Sequence, residues 1–140
     1  MRDHIVIVGA GKFGSYLANS LSTKGRDVVI IDKNQEAINE ISDSFVGLTL
    51  TGDASELAVL EEAEITKAAQ AIIVTDNDNT NIFLANICNK IFNVPKIVLR
   101  QSSGDKAGLL AGYNFEVIYP FNLSVQEYFN LAGDEDWWKY

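Results

Sequence analysis

His4-Ile5-Val6-Ile7-Val8-Gly9-Ala10-Gly11-Lys12-Phe13-Gly14 is the stretch whose reading decides the fold. A β-branched run, Ile5 to Val8, enters a glycine-rich turn, and Phe13, Tyr16, Leu17 and Leu21 then recur at helical spacing. The glycines fit G-x-G-x-x-G at Gly9, Gly11 and Gly14, and each has its own physical task. Gly9 permits the tight turn out of the strand. Gly11 has no Cβ, so a pyrophosphate can approach its backbone. Gly14 lets the helix lie close to the strand. The free N–H groups of the helix start, with its macrodipole, favour an anion at that place.

Working outward, a second β-like run, Val28-Val29-Ile30-Ile31, ends in Asp32, 18 residues after Gly14. That spacing suits an acid that binds a ribose, so a nucleotide site is the reading against a glycine turn of purely structural use. The rest of the chain keeps the alternation. A first helix runs from about Lys12 to Lys24, with Gly25 as its stop. Asn34 caps a helix through about Ser42, Phe45 to Leu50 reads as a strand, and Ser55 caps a helix carrying Leu57, Val59, Leu60 and Ala63. Ala71 to Val74 is apolar throughout and reads as a central strand, and a helix from about Asn79 to Phe92 follows, stopped by Asn93-Val94-Pro95. Strand Lys96 to Leu99, a short helix from about Asp105 to Ala111, strand Glu116 to Tyr119 and a segment opened by Pro120 complete the chain. Six β–α units predict an α/β, Rossmann-like, doubly wound six-stranded parallel sheet. Helices cover both faces, and the expected strand order is 3-2-1-4-5-6.

The totals narrow the function classes. The 140 residues suit one domain, and 47% hydrophobic residues with 2 Pro argue against a disordered tail. No apolar run reaches the length of a membrane span, and Met1-Arg2-Asp3-His4 lacks a signal-peptide layout, so a cytosolic chain without membrane insertion is expected. A net charge of −8 argues against a nucleic-acid surface but not against a nucleotide held by backbone N–H groups. Cys88, the 1 cysteine, sits among Leu84, Ala85, Ile87 and Ile91 and reads as a core thiol. His4, the 1 histidine, stands at the strand end remote from the glycine turn and reads as structural.

Ligands of this fold bind outside the carboxyl ends of the strands. The candidates are therefore the glycine turn with Lys12 and Phe13, Asp32-Lys33, Thr51-Gly52-Asp53-Ala54, Thr75-Asp76 and Arg100. Asp32 can accept bonds from a ribose diol and would repel a 2′-phosphate, which disfavours NADP. Lys33 beside it reads as solvated. Asp53 serves equally as an acceptor for an adenine amino group or as a turn or helix-cap carboxylate. Arg100 is placed to clamp phosphates or an acidic neighbour, against the alternative of a plain surface arginine. Lys12 faces a terminal phosphate or is simply solvated on the first helical turn. No catalytic set is expected: Cys88 and His4 cannot pair at the site, and Tyr16 is followed four residues later by Ser20, so no Y-x-x-x-K pair stands there. Asp76 and Asp78 read as a solvated helix start, not as a metal site.

These residues together resemble the RCK N-terminal domain, also called the KTN or TrkA-N domain. Gly9-Ala10-Gly11-Lys12-Phe13-Gly14, Asp32, Gly52-Asp53-Ala54, Arg100 and the T-D-x-D-x-x-N stretch of Thr75, Asp76, Asp78 and Asn81 carry the resemblance, over about residues 3 to 131. It implies a cytosolic regulator of a Trk/Ktr potassium uptake system or potassium channel, peripheral to the inner face of the membrane through that partner. It implies a ligand, NAD(H) or ATP/ADP, with Asp32 at the ribose, Asp53 at the adenine, Arg100 at the phosphates and Lys12 near the outer phosphates. It also implies a homodimer that assembles into a ring, with a crossover helix at Phe121 to Leu131. On that basis residues 1–131 form the nucleotide-binding domain, and residues 132–140 an acidic, aromatic tail in which Trp137 and Trp138 pack on a partner or anchor the domain end. Some relatives carry a cation-binding acid after the proline that follows the sixth strand; here Phe121 follows Pro120, so no metal site is carried over. The C-terminal RCK subdomain usual in the family is not in these 140 residues, so an excised domain or a minimal family member is expected. The alternatives are a small NAD-dependent oxidoreductase, or a fragment of one, and a dimerisation domain with a vestigial pocket.

Overall fold

The β-branched runs predicted as strands pair in one parallel sheet in the computed structural model, which describes residues 3–133. The strands are β1 (His4–Val8), β2 (Asp27–Asp32), β3 (Leu48–Thr51), β4 (Ala68–Ile73), β5 (Lys96–Arg100) and β6 (Phe115–Ile118). Their order is β3-β2-β1-β4-β5-β6, as the βα alternation predicts. β1 pairs with both β2 and β4, Val6 facing Val29 on one side and Ala71 on the other. The sequence therefore reverses direction across the sheet between β1 and β4. A crevice at that place, outside the carboxyl ends, is what this topology builds.

Helices α1 (Lys12–Thr23), α2 (Gln35–Asn39), α3 (Leu57–Glu62), α4 (Asp78–Lys90), α5 (Ala107–Leu110) and α6 (Pro120–Leu131) connect or follow the strands. Alternate side chains of the central strands feed two cores. On one face Ile5, Ile7, Val28, Ile30 and Ile72 pack with Ala18 and Leu17 of α1 and Ile38 of α2. On the other, Val6, Val8, Ile31, Ile73 and Leu99 pack with Leu60 of α3 and with Leu84, Ala85 and Cys88 of α4. Burial pushes the Cys88 thiol up to about 12, so it is a protonated core group at neutral pH. His4 is also structural. Its Nε2 donates to the Ala63 carbonyl at 2.8 Å and its Nδ1 lies 3.0 Å from the Asp27 carboxylate.

Several boundaries differ from expectation, each for a local reason. β3 begins at Leu48, not Phe45, because Phe45 closes a turn on Ser42 and packs beneath α1 and α2. Gly47 then passes so near β2 that a Cβ would lie 2.4 Å from the Val28 carbonyl oxygen. β4 extends back to Ala68, where pairing with β1 overrides the weak strand propensity of Ala68-Ala69-Gln70. Ser55 does not cap α3. Its N–H and hydroxyl both bond Asp53, and the helix starts two residues later behind Glu56. A 3-10 turn at Ile65–Lys67, entered through Glu64 at φ 61°, had no sequence signal. α2 is shorter than expected, and a 3-10 turn at Gly104–Lys106 takes the first part of the helix expected from Asp105. α4 is capped by Asn77, whose side chain accepts from the Thr80 N–H. It ends as expected, with Asn93 left-handed and the Val94 N–H returning to the Cys88 carbonyl.

α6 starts with Pro120 in its first turn and has no buried residue. Phe121, Leu123, Val125, Tyr128 and Leu131 are all exposed. No described helix is long and apolar enough to cross a membrane. Trp137 and Trp138 lie outside the described residues.

Candidate functional site

A cleft of about 420 Å³ opens at the carboxyl edge of the sheet, at the β1/β4 reversal. Gly9, Gly11 and Phe13 line it from the glycine turn, and Asp32 and Lys33 from the end of β2. Asp53 and Ala54 line it after β3, Thr75 and Asp76 after β4, and Arg100 at the tip of β5. Three residues singled out from the sequence, Lys12, Gly14 and Thr51, are not in the lining, and the Thr51 hydroxyl donates instead to the Gln35 side-chain oxygen at 2.7 Å. Lys12 is exposed on the first turn of α1, and Gly14 is buried behind the turn.

The three glycines divide their work as the motif demands. Gly9 has φ 109°, and a Cβ there would lie 2.8 Å from the Thr75 amide nitrogen. Gly14 brings α1 onto β1: a Cβ there would lie 1.8 Å from the Gly9 carbonyl oxygen. Gly11, the residue preceding α1, has ordinary φ and open space beside it, with no atom within 4 Å of a built Cβ. An anion can therefore come close to its backbone at the helix start.

Asp32 ties the first two strand ends together. One carboxylate oxygen accepts the Ala10 N–H and the other the Asn34 N–H, both at 2.8 Å. A carboxylate has about four acceptor positions, so two remain for hydroxyl donors from the cleft. Asp53 is exposed, and Ser55 holds its carboxyl below the ordinary carboxylate value, through the hydroxyl first and the N–H second. Desolvation opposes this slightly and the positive charge of Lys33 supports it. Asp53 thus has the turn role its position allowed, not a helix-cap role, and it still faces the cleft. Among the described residues no carboxylate lies within ion-pair distance of Arg100. Its guanidinium carbon instead lies 5.9 Å from the centre of the Phe121 ring. An unneutralised cation on the lining is a place for an anion.

The model of the TrkA-N domain matches residues 5–120, which takes in the sheet from Ile5 of β1 to the end of β6. The chain belongs to the TrkA-N domain family. Among curated proteins it is 43% identical over 95 residues to the "Trk system potassium uptake protein TrkA homolog" of Pyrococcus abyssi, covering 68% of this chain and 41% of that one. It is 35% identical over 97 residues to the "Trk system potassium uptake protein TrkA" of Streptomyces coelicolor, covering 69% of this chain and 44% of that one. The chain thus spans less than half the length of these relatives. Among solved structures, the GsuK channel bound to NAD superposes with a TM-score of 0.80 at 26% identity, covering 96% of this chain and 24% of that one.

In this TrkA-N domain the structure adds residues that motif reading did not assign to the cleft. Asn34, Asn77 and Thr80 join the lining as helix-cap and first-turn residues next to the predicted ones, among which Gly52 also lines the cleft. Asn34 and Asn77 were detectable as caps, since each precedes a helix and accepts an N–H of its first turn. Val8, Ile31, Val74 and Leu84 form the apolar wall. They read as core in the sequence because a strand tip serves both core and cleft.

Proposed function

We propose that this chain is the nucleotide-binding regulatory module of a Trk-type potassium uptake system, and that its cleft binds NAD(H) or ATP/ADP. The observation that carries the reading is the cleft itself: one crevice collects the glycine turn, Asp32, Asp53 and Arg100. The named relatives are potassium uptake proteins, and the GsuK channel, with a domain of this shape, has been solved bound to NAD and to ADP. In this reading Asp32 accepts from the ribose diol and Asp53 from the adenine amino group. The backbone of Gly9 and Gly11 with Phe13 receives the phosphates at the start of α1, and Gly14 lets α1 pack close enough to present that backbone. Thr75, Asp76 and Arg100 line the phosphate side, and Ala54 and Lys33 border the nucleoside. Among the described residues the lining holds no histidine, cysteine or tyrosine, which favours a sensor over an enzyme. The module works in the cytoplasm, beside a membrane potassium transporter or channel subunit, within residues 1–131, with 132–140 as a tail.

Calorimetric titration tests this. NAD, NADH and ADP are expected to bind, NADP at least about tenfold more weakly than NAD because Asp32 meets its 2′-phosphate. Asp32→Ala should weaken NAD by about 1–3 kcal/mol through lost charge-assisted bonds. Bound NADH should remain unoxidised when small carbonyl compounds are added. Equal affinity for NAD and NADP, or saturable NADH turnover, contradicts the reading.

The same reading makes the chain a homodimer or a ring of dimers through α6. A helix with no buried residue and five large exposed apolar side chains is unusual on a soluble monomer. Light scattering at micromolar concentration should give at least a dimer mass, and Val125→Asp with Tyr128→Asp should halve it. A wild-type monomer, or a double variant that keeps its mass, removes α6 from the interface.

A further inference from the structure

We propose that Asn81 and Gln101 are positioning residues of the cleft. Their side-chain amides lock the tips of β4 and β5 so that Thr75 and Arg100 stand ready for the phosphates of a nucleotide. This rests on the nucleotide reading of the cleft.

Asn81 is 0% exposed and lies on the first turns of α4. Its Oδ1 accepts the Thr75 N–H at 3.2 Å and also the Thr75 hydroxyl. Its Nδ2 donates to the Thr75 carbonyl at 3.0 Å and to the Arg100 carbonyl at 2.9 Å. Two acceptor positions and two donors exhaust an asparagine amide, so the group is fully engaged in holding two strand ends. Gln101 is 1% exposed, and its Nε2 donates to the Asp78 carbonyl at 3.1 Å and to the Arg100 carbonyl at 2.8 Å. The Arg100 carbonyl thus accepts from two side chains. The Asp78 carboxylate completes the fastening by accepting the N–H and hydroxyl of Ser102.

Two features separate this from ordinary packing. Neither amide residue lines the cleft, while Thr75 and Arg100, which they hold, do. Gln101 also buries its Oε1 with no partner. An unpaired buried acceptor is unfavourable, and an apolar side chain of the same length would avoid it. The residue's use at this place is therefore in its donors. The nucleoside side has a separate fastening, Asp32 on the Ala10 and Asn34 N–H groups. Loosening β4 and β5 should then weaken contacts to phosphate and spare contacts to adenosine.

Calorimetric titration of the full 140-residue chain with ADP and with adenosine reads this split. Asn81→Asp keeps the shape and the acceptor for Thr75 but turns a second oxygen on two carbonyls. It should weaken ADP about tenfold and leave adenosine within about twofold. Gln101→Met is neutral and of equal length, so charge cannot explain its effect. It should weaken ADP about threefold with adenosine unchanged. Folded variants that keep ADP affinity, or lose both ligands equally, overturn the proposal. If Asn81→Asp does not fold, Gln101→Met decides on the same criterion. A wild-type chain that binds neither ligand removes the nucleotide reading and this proposal together. A wild type that binds ADP, with variants that bind it as well, removes the proposal alone.

Discussion

Replacing Gly11 with valine is expected to abolish binding of ADP and NAD while the fold stands. Gly11 lines the cleft at the start of α1, its φ of −67° is one any residue adopts, and a Cβ built there has no atom within 4 Å. Valine therefore fits the free protein. The loss of a tolerant cap residue should lower stability by no more than about 1 kcal/mol. Its two methyl groups would occupy the space through which an anion reaches the N–H groups of the turn. Charge-assisted hydrogen bonds of that kind contribute about 1.5–3 kcal/mol each, so losing two weakens binding by about 100-fold or more. Calorimetric titration beside thermal melting by circular dichroism is the check. A valine variant that melts like the wild type and binds ADP as well places the phosphates somewhere other than the glycine turn.

The sheet was legible because period and punctuation agree. Val28 to Ile31 could be a buried helix turn if read alone, but between Gly25 and the Asp32-Lys33-Asn34 turn it has room only for a strand. Tertiary contact decided what the sequence left open. Val46 and Phe45 have strand propensity, yet the close pass of Gly47 beside Val28 delays β3 until Leu48. Ala68-Ala69-Gln70 lacks that propensity, yet lies in β4, where Ala68 pairs with His4 and Gln70 with both Ile5 and Lys96.

Much of the cleft was legible for a different reason. In a doubly wound sheet the residue after each strand is at the carboxyl edge by construction, so Asp32, Asp53, Thr75 and Arg100 could be picked by position. Lys12 shows the limit of that rule. It lies within the motif, but helical geometry turns it outward while Gly11 and Phe13 face the cleft. Asn81 shows the converse. An asparagine three residues into a helix looks like a polar surface position, and only the approach of β4 to β5 explains its complete burial. Its hydrogen-bond partners are as distant in sequence as Arg100, beyond the reach of a local pattern.

Gly14→Ala should have the opposite signature to Gly11→Val: a damaged fold from a single methyl group. A Cβ at Gly14 would lie 1.8 Å from the Gly9 carbonyl oxygen and 2.9 Å from its carbonyl carbon. Those are backbone atoms at the end of β1, and the Gly9 N–H is itself bonded to the Ile31 carbonyl at 2.8 Å. Gly9 is also hemmed in by the Val74 and Thr75 backbone, so the turn has no room to retreat. α1 must move instead, which opens its packing of Ala18 and Leu17 against Ile5, Ile7 and Ile30. In a helix interior the alanine would by propensity be favoured over glycine by about 1 kcal/mol. Overpacking against fixed atoms opposes that with about 3 kcal/mol or more, and the steric effect wins. The midpoint of thermal unfolding should fall by about 10 °C or the chain should fail to fold. If Gly14→Ala instead melts at or above the wild-type temperature, α1 does not rest on β1 at this glycine, and the third position of the motif has no structural task in this chain.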